Sequence, residues 1–519
     1  MKKDIVILTT SDIHGYIYPT HYRDRSDQPI GLAKLTTYMK EQRNHHSVLL
    51  LDNGDLVQGS PLTYYHAKYH KDSKNPIIEV ANALGYQAAV FGNHEFNYGT
   101  DYLKKVVEQS EFPWLSANVI DAQTEQPAFG TPYQVFDLDG IKVAVLGVTT
   151  HYVPNWEDPN HIQGLEFKDA LETAKKWVSL IRAEENPDVM VVSYHGGFER
   201  DLETGEPTEP LTGENQGYQM CQEIEGLDIL ITGHQHRSLV GKVNGVSIIQ
   251  PSNNGQKLGE IRITLEKMGN EYVLLDAIST LIEVDKLPAD QEVLSMIGEF
   301  ENQTQQWLDT PIGKVNGDLS IVDPLQTRMR DTPIIEFINK VQMDAAEVDI
   351  SNTSLFSNDS PGFGNEVTMR DIVSNYVYPN TLKVIRITGQ DIKDALEQSA
   401  SYFKIVDGKI GVNPSFIDPK PQHYNYDMWE GIEYEIKVSN PIGERITKLL
   451  YQGKPLVLSN QYDVVMNNYR AGGAGNFDMY SGKPVVKEIP IDMTELIANY
   501  LLKRNTIQAT CNYNWKVVL

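Results

Sequence analysis

The chain has 519 residues, of which 40% are hydrophobic and 22% are charged, and its formal net charge at pH 7 is −25. This length exceeds what one hydrophobic core usually serves, so we expect two or three domains without long disordered tracts. The excess of negative charge argues against duplex nucleic acid or an anionic membrane as a partner, although local cations can still hold a small anionic substrate.

Signals for targeting and for disulfides are weak. Cys221 and Cys511 are the only cysteines, and we expect two free thiols in a reducing compartment, with one bridge between them as the alternative. The N-terminal apolar stretch is too short for a secretory signal, and no run reaches the length of a transmembrane helix. The sequence as written predicts a soluble, cytoplasmic monomer or weak dimer without a membrane span, or a secreted or periplasmic protein if a leader was removed.

Short apolar runs alternate with amphipathic segments through the first 260 residues. The runs predict strands at 4–10, 47–52, 88–91, 142–148, 189–194 and 227–232. Apolar residues at helical spacing predict helices at 31–42, 100–109 and 167–184. Such alternation is typical of α/β domains with largely parallel strands, in which sites form beyond the carboxyl ends of the strands.

Five polar motifs stand at those strand ends. They are Ser11-Asp12-Ile13-His14-Gly15, Asn53-Gly54-Asp55, Gly92-Asn93-His94-Glu95, Tyr194-His195-Gly196-Gly197 and Gly233-His234-Gln235-His236. Together they offer seven oxygen and imidazole ligands, namely Asp12, His14, Asp55, Asn93, His195, His234 and His236. Each motif alone is usually a turn, a cap or a surface pair, so the prediction of a site depends on their combination.

This ligand set is sufficient for two divalent cations that share a carboxylate, and Asp55 on its tight loop is suited to bridge them. Nitrogen and oxygen ligands without sulfur fit Mn, Zn, Co or Fe, and ligand type alone does not select among these metals. A pair of cations can activate water and stabilise both oxygens of an in-line displacement at phosphorus. The sequence therefore predicts a metal-dependent phosphoesterase.

His94 directly follows the predicted ligand Asn93, so its ring should lie beside the cations rather than on them. An imidazole in that place can hydrogen-bond a phosphoryl oxygen or protonate the departing alkoxide near neutral pH. The alternative is that His94 only orients a metal ligand.

The rest of the chain predicts a connector and a further domain. Residues 289–308 predict one long, polar-faced helix between the two. We expect a catalytic domain at 1–285, the connector helix and linker at 286–317, and a C-terminal domain at 318–519. The patterns in that last domain predict helices at 332–346 and 389–402 and strands at 383–387 and 462–467.

The five motifs, in this order, resemble the complete metal-binding pattern of the calcineurin-type metallophosphoesterases, and with the two-domain length they resemble the 5′-nucleotidase family. The resemblance covers essentially the whole chain. It implies an α/β fold in which a four-layer α-β-β-α metallophosphoesterase domain carries two metal ions. A connector helix joins this domain to a second α/β domain that binds the nucleotide substrate.

The resemblance also implies where the base of a nucleotide binds, since flat bases stack well between aromatic rings. The segment Tyr378-Pro379-Asn380-Thr381 resembles the one that carries the first stacking aromatic of nucleotidases. Asn467-Asn468-Tyr469-Arg470-Ala471 resembles the one that carries the second, and Phe477 competes with Tyr469 because 5′-nucleotidases place their aromatic after a Gly-rich loop. Further substrate contacts are implied for Asn352, Arg328, Arg330 and Asn468.

Two departures from the 5′-nucleotidase pattern concern the reaction. That subfamily pairs its catalytic His with an Asp, where this chain has Asn97, and the segment after Asn352 lacks the subfamily's Ile-Arg. Both departures resemble the bifunctional 2′,3′-cyclic-nucleotide 2′-phosphodiesterase/3′-nucleotidase branch, with His94 and Asn97 as the catalytic residues. The alternatives are a 5′-nucleotidase or nucleotide-sugar hydrolase and, from another class, a silent nucleotide-binding or surface-interaction protein.

Overall fold

The computed structural model describes residues 2–209, 211–269, 271–376, 378, 380–489 and 491–519. The chain divides into two compact units, Met1–Thr304 and Gln305–Leu519. The division falls inside the segment 286–317 that the sequence predicts as the connector and linker. Among the described residues, no helix combines the length and the apolar character needed to cross a membrane.

In its described residues the first unit contains fourteen strands, seven α-helices and the greater part of an eighth. Its strands are β1 (Lys2–Thr10), β2 (Val48–Asp52), β3 (Ala88–Val90), β4 (Trp114–Leu115), β5 (Val119–Asp121), β6 (Tyr133–Leu138), β7 (Ile141–Thr149), β8 (Leu165–Phe167), β9 (Val189–His195), β10 (Ile229–Ile231), β11 (Ser238–Val243), β12 (Val246–Pro251), β13 (Lys257–Met268) and β14 (Glu271–Glu283). Its helices are α1 (Leu32–Arg43), α2 (Pro61–Tyr69), α3 (Pro76–Leu84), α4 (Thr100–Gln109), α5 (Ala170–Glu184), α6 (Gly217–Glu223), α7 (Gln291–Met296) and α8 (Gly298–Leu308), which continues into the second unit.

Two six-stranded sheets form the centre of this unit, in the orders β14-β13-β1-β2-β3-β4 and β11-β12-β10-β9-β7-β6. Their inner faces share one apolar core, in which Ile5 and Leu49 of the first sheet pack with Val191 and Ile231 of the second. Burial of these branched side chains is the main favourable contribution to folding. The two sheets therefore lie face to face.

Helices cover the two outer faces. On the second sheet, Val178 and Ile181 of α5 belong to the cluster that also contains Val192. On the first sheet, Leu8 of β1 is paired with Glu260 of β13, and the Tyr38 hydroxyl of α1 donates a 2.8 Å hydrogen bond to the Glu260 carboxylate. Helix, sheet, sheet and helix thus make four layers, which confirms the predicted fold class.

The predicted strands and helices of this unit are confirmed to within a few residues at their ends. The helix expected at 167–184 begins only at Ala170. Leu165–Phe167 instead pairs with Val119–Asp121 as a short ribbon. The Asp169 side chain then caps α5 by accepting from the Glu172 amide, which fixes where the helix starts.

The prediction of one long connector helix is wrong. The segment forms two helices, α7 and α8, because Ile297 leaves the helical conformation at φ −112° and ψ 15°. Gly298, a poor residue for a helix interior, follows at once. Asp290 caps α7 by accepting from the amides of Glu292 and Val293.

The second unit is also α/β. Its strands are β15 (Pro311–Asn316), β16 (Leu319–Ser320), β17 (Ile350–Ser354), β18 (Gly362–Phe363), β19 (Glu366–Thr368), β20 (Leu382–Thr388), β21 (Phe403–Val406), β22 (Lys409–Val412), β23 (Asp427–Glu430), β24 (Glu433–Lys437), β25 (Ile446–Tyr451), β26 (Lys454–Pro455), β27 (Gln461–Asn467), β28 (Val485–Ile489), β29 (Thr506–Gln508) and β30 (Trp515–Val518). Its helices are α9 (Pro324–Met329), α10 (Pro333–Ala346), α11 (Met369–Asn375), α12 (Gly389–Ala400), α13 (Asn468–Ala471) and α14 (Met493–Arg504). The largest sheet has the order β23-β17-β27-β20-β28, and the strands and helices expected in this unit lie where the sequence predicts them.

A buried histidine in the first unit links stability to pH. His66 is 1% exposed, and its ring lies 3.1 Å from the Tyr102 hydroxyl through Nδ1. Burial lowers the pKa of His66 from 6.5 to about 4. Above pH 6.5 the ring is neutral in both states, so its contribution to the free energy of unfolding is complete. As the pH falls towards 4 this contribution is lost, because the unfolded chain binds a proton that the buried ring does not.

We expect this loss to reach about 3 kcal/mol, at about 1.4 kcal/mol per pKa unit. Urea denaturation of the metal-free protein between pH 6.5 and 4.5 should give a shallower pH dependence for His66→Gln than for the wild type. His45→Gln, at an exposed position, should leave the dependence unchanged. Equal slopes for wild type and His66→Gln would contradict this assignment.

Candidate functional site

Parallel strands bring the five polar motifs together. β1, β2 and β3 are parallel neighbours in one sheet, and β9 and β10 are parallel neighbours in the other. The carboxyl ends of parallel strands meet at one edge, so the residues that follow them converge there. Five of the predicted ligands adopt left-handed backbone with φ between 50° and 66°, namely Asp12, His14, Asp55, His234 and His236. Such conformations cost non-glycine residues about 1–3 kcal/mol each and cluster at functional sites.

The first group of ligand atoms comes from Asp12, His14 and His236. The Nε2 atoms of His14 and His236 are 3.0 Å apart, and the His236 Nε2 is 3.5 Å from Asp12 Oδ1. The Nδ1 of His14 lies 2.9 Å from the Gln58 carbonyl oxygen, which can only accept, so Nδ1 carries the proton. The lone pair on the His14 Nε2 therefore points into the group.

The second group comes from Asp55, His195 and His234. His195 Nε2 is 3.2 Å from Asp55 Oδ2 and 3.2 Å from the amide oxygen of Asn93. The same Asn93 oxygen is 2.8 Å from His234 Nδ1. The structure thus assembles all seven predicted ligands in two groups of atoms.

The donor set fits divalent cations. Asp12 and Asp55 are almost completely buried, and each faces imidazole nitrogens at 3.2–3.5 Å. Burial raises the pKa of the Asp12 carboxyl and lowers the pKa of His14 to about 4. Burial also opposes the charge on His195, but Asp55 outweighs it and raises the pKa of His195 to about 10. Two cations would place positive charge beside these buried carboxylates and would bind the imidazoles in their deprotonated form.

Groups behind the ligands hold the imidazoles in place. The Nδ1 of His195 lies 2.7 Å from the Asn53 carbonyl oxygen, and the Nε2 of His234 lies 2.9 Å from Glu214 Oε1. Each contact fixes the ring so that its other nitrogen faces the site. The sequence did not predict Glu214, because it lies on a loop whose approach to His234 depends on the tertiary fold.

Glu95 has a structural role that the sequence did not reveal. Its buried carboxylate accepts hydrogen bonds from the amides of Asp55, Leu56 and Gly92 at 2.6–2.8 Å. This carboxylate ties the loop after β2 to the loop after β3 and so positions Asp55 against Asn93. A Cβ atom at Gly92 would lie 2.2 Å from Asp55 Oδ1, so this position requires glycine.

His94 lies next to residues of both ligand groups. Its backbone amide donates to Asp55 Oδ1 at 2.8 Å, and its ring packs at 5.3 Å from that of His14. The Nδ1 of His94 is 2.7 Å from Oδ1 of Asn97, and the Asn97 amide nitrogen donates to Glu157 at 2.6 Å. The two predicted catalytic side chains are therefore in direct contact.

In the second unit, one end of the large sheet collects most of the predicted substrate contacts. Thr381 and Asn468 exchange two hydrogen bonds, one between backbones and one from the Thr381 amide to the Asn468 side chain. These bonds bring together the segments that carry Tyr378 and Tyr469, both of which are partly exposed. Val377 and Pro379, which flank Tyr378, lie outside the described residues. Asn352 is buried at the same end, on β17.

Three other predicted contacts lie elsewhere or face inward. Phe477 is fully buried, stacks on Tyr480, and lies under the Arg470 guanidinium at 3.9 Å, so it offers no open face here. Arg328 is also fully buried and donates to the Leu355 carbonyl. Arg330 is exposed, unlike Arg328. Its backbone pairs with that of Lys516 in an isolated antiparallel β-bridge.

Comparison with known proteins identifies both units. The family model of the calcineurin-like phosphoesterases matches residues 5–238, and that of the 5′-nucleotidase C-terminal domain matches residues 311–482. Among curated proteins, the trifunctional nucleotide phosphoesterase protein YfkN of Bacillus subtilis is 28% identical over 98% of this chain, which spans only 38% of that protein's length. The 2′,3′-cyclic-nucleotide 2′-phosphodiesterase/3′-nucleotidase of Haemophilus influenzae is 28% identical over 99% of this chain and 87% of its own length.

A solved structure extends the match to the whole chain. A provisionally assigned 5′-nucleotidase from Staphylococcus aureus, crystallised with alpha-ketoglutarate, is 35% identical and has a TM-score of 0.91. The alignment covers 100% of both chains. With both family models also matched in chain order, the protein belongs to the 5′-nucleotidase family of calcineurin-like phosphoesterases.

Proposed function

We propose that this protein hydrolyses ribonucleoside 2′,3′-cyclic phosphates to 3′-nucleotides, and then 3′-nucleotides to nucleoside and phosphate. The observation that carries the proposal is the complete set of seven ligand side chains beside His94. The hydrogen-bond partner of the His94 ring is the amide of Asn97 rather than a carboxylate. Curated relatives from Haemophilus influenzae, Salmonella typhimurium and Yersinia enterocolitica that bear the name of this activity align over 99% of the chain, which supports it.

The residues that would hold the cations follow from the two groups. Asp12, His14 and His236 would hold one, Asn93, His195 and His234 would hold the other, and Asp55 would contact both. When bound, two such ions supply Lewis acidity that activates water for in-line attack and stabilises charge on the phosphoryl oxygens.

His94 would act at the leaving group. In the first reaction the water oxygen would form a bond to phosphorus and release a proton to solvent, the bond from phosphorus to O2′ would break, and His94 would give a proton to O2′. In the second reaction the bond to O3′ breaks in the same way and inorganic phosphate leaves. Because the Nδ1–H of His94 faces Asn97, Nε2 of the neutral ring is the nitrogen that would take up a proton and then transfer it to the leaving oxygen.

Tyr378 and Tyr469 would stack on the base. Because stacking acts on a part of the substrate remote from phosphorus, Tyr378→Ala or Tyr469→Ala should raise KM for 3′-AMP by about 5- to 150-fold. KM for p-nitrophenyl phosphate should change little in steady-state assays of the same variants. Tyr513→Ala, at a side chain that is 76% exposed, serves as the control. A silent Tyr469→Ala together with an impaired Phe477→Ala would move the second stacking role to Phe477.

A second candidate is hydrolysis of 5′-nucleotides, favoured by the 35% identity to the Staphylococcus aureus protein. Rates of phosphate release from 2′,3′-cAMP with added phosphatase, from 3′-AMP and from 5′-AMP separate the two in the presence of Mn²⁺. Faster turnover of 2′,3′-cAMP and 3′-AMP supports the proposal, whereas a preference for 5′-AMP supports the second candidate. No turnover of any of the three would point to a silent binding protein.

A further inference from the structure

A short segment after β7 approaches the site from the side of His94. The turn Val153–Asn155 is followed by Trp156 and Glu157. Trp156 stacks on the ligand His234 at 5.2 Å with an interplanar angle of 20°, and Glu157 accepts the hydrogen bond from Asn97. The Glu157 side chain is only 6% exposed. A buried carboxylate at this place requires an explanation, because its desolvation is unfavourable.

The contact from Glu157 determines which end of the Asn97 amide meets His94. An ionised carboxylate accepts hydrogen bonds only, so it holds the NH₂ group of Asn97 at 2.6 Å. The amide oxygen of Asn97 must then face His94 Nδ1, which donates to it at 2.7 Å. In the reverse orientation, an oxygen would face the Glu157 carboxylate and an NH₂ group would face Nδ1.

Glu157 is itself held from behind. Its Oε1 accepts a 2.8 Å hydrogen bond from the Asp158 amide and lies 2.9 Å from His161 Nδ1. Burial opposes charge on His161, but the hydrogen bond and charge of Glu157 prevail and raise the His161 pKa. The contacts with the Asp158 amide and His161 thus fix the orientation of the carboxylate that meets Asn97.

We propose that Glu157 is a positioning residue that fixes the orientation of the Asn97 amide and, through it, the Nδ1–H tautomer and ring orientation of His94. The proposal deepens the proposed function and depends on it for the role of His94. A carboxylate at position 97 would need no such residue, because its two oxygens are equivalent. An amide has two different ends, and Glu157 selects between them.

Exchange of carboxyl and amide groups at the two positions tests this directly. In Glu157→Gln, the oxygen of the new Gln should accept from the Asp158 amide and His161, so the Gln NH₂ group faces Asn97. The Asn97 amide should then turn over, with its oxygen towards the Gln and its NH₂ group towards His94. We expect kcat to fall about 10- to 100-fold with little change in KM. In Asn97→Asp, two carboxylates would lie within hydrogen-bond distance, and kcat should fall by a similar factor.

The double variant Asn97→Asp/Glu157→Gln restores complementary groups. The Gln NH₂ would donate to Asp, and Asp would accept from His94 Nδ1, so kcat should exceed that of both single variants. Metal content should equal that of the wild type in all three variants. Losses that multiply in the double variant, as for two unrelated structural defects, would overturn the proposal.

A second readout does not need turnover. In the zinc-loaded protein, ¹⁵N spectra of the His94 ring, assigned with His94→Gln, should place the proton on Nδ1 in the wild type and in the double variant, and should lose that preference in Glu157→Gln. Kinetics are measured on whichever nucleotide the wild type hydrolyses fastest. Failure of the proposed function would then appear as a different preferred nucleotide, whereas an unchanged His94 tautomer in Glu157→Gln would overturn the role of Glu157.

Discussion

Asp55→Asn should lose at least one bound cation and nearly all turnover. Asp55 interacts with both groups of ligands, since its Oδ2 lies 3.2 Å from His195 of the second group and its charge also raises the pKa of His14 of the first group against the effect of burial. Replacement by an amide removes negative charge from between two cations while keeping the size of the side chain. Buried charged networks lose several kcal/mol when one partner is removed.

Metal analysis of the purified variant, followed by phosphate release from 3′-AMP, checks this result. Asp101→Asn removes the same charge from a side chain that is 97% exposed in the same unit, and it should retain metal and rate. An Asp55→Asn protein with two cations per chain and wild-type turnover would show that Asp55 does not bridge them.

His94→Gln should keep both cations and lose about 10²- to 10⁴-fold in kcat, the range for a general acid. On the proposed mechanism the ring would contribute to the transition state and not to coordination, because the Asn93 oxygen, rather than the His94 ring, lies among the ligand atoms of the second group. The loss should be smaller for p-nitrophenyl phosphate, whose leaving group departs without a proton. Steady-state rates for 3′-AMP and p-nitrophenyl phosphate, with metal content, measure both effects.

The matched control is His45→Gln, at an exposed position of the same unit. It should behave as the wild type on both substrates. An equal loss of kcat on 3′-AMP and p-nitrophenyl phosphate in His94→Gln would instead favour a role for His94 in orienting a metal ligand.

The ligand groups were predictable from sequence because each predicted ligand lies at the end of a strand or within a few residues after it. Parallel strands such as β1 and β2 bring their carboxyl ends together, so local patterns alone locate Asp12 and Asp55. The left-handed backbone at these residues was not predictable, since residues other than glycine rarely adopt it. Glu95 was visible within a motif, but its hydrogen bonds to the Asp55 loop appear only in three dimensions.

Residues that act from distant loops left no such signal. Glu157 lies 60 positions from Asn97 in the chain, and nothing in its local sequence marks it as a partner. Phe477 illustrates the opposite case, because its place after a Gly-rich loop resembles that of the stacking aromatic of 5′-nucleotidases, whereas packing against Tyr480 and Arg470 buries it. The break at Ile297 similarly depends on local backbone geometry that a polar-faced helical pattern does not reveal.

The most direct test of a two-cation phosphoesterase is a titration of the metal-free protein with Mn²⁺, in which bound metal and hydrolysis of 3′-AMP are measured together. Seven ligand side chains in two groups predict two equivalents bound per chain, with activity that reaches its maximum only as the second equivalent binds. Full activity at one equivalent, or in the metal-free protein, would contradict the two-cation site.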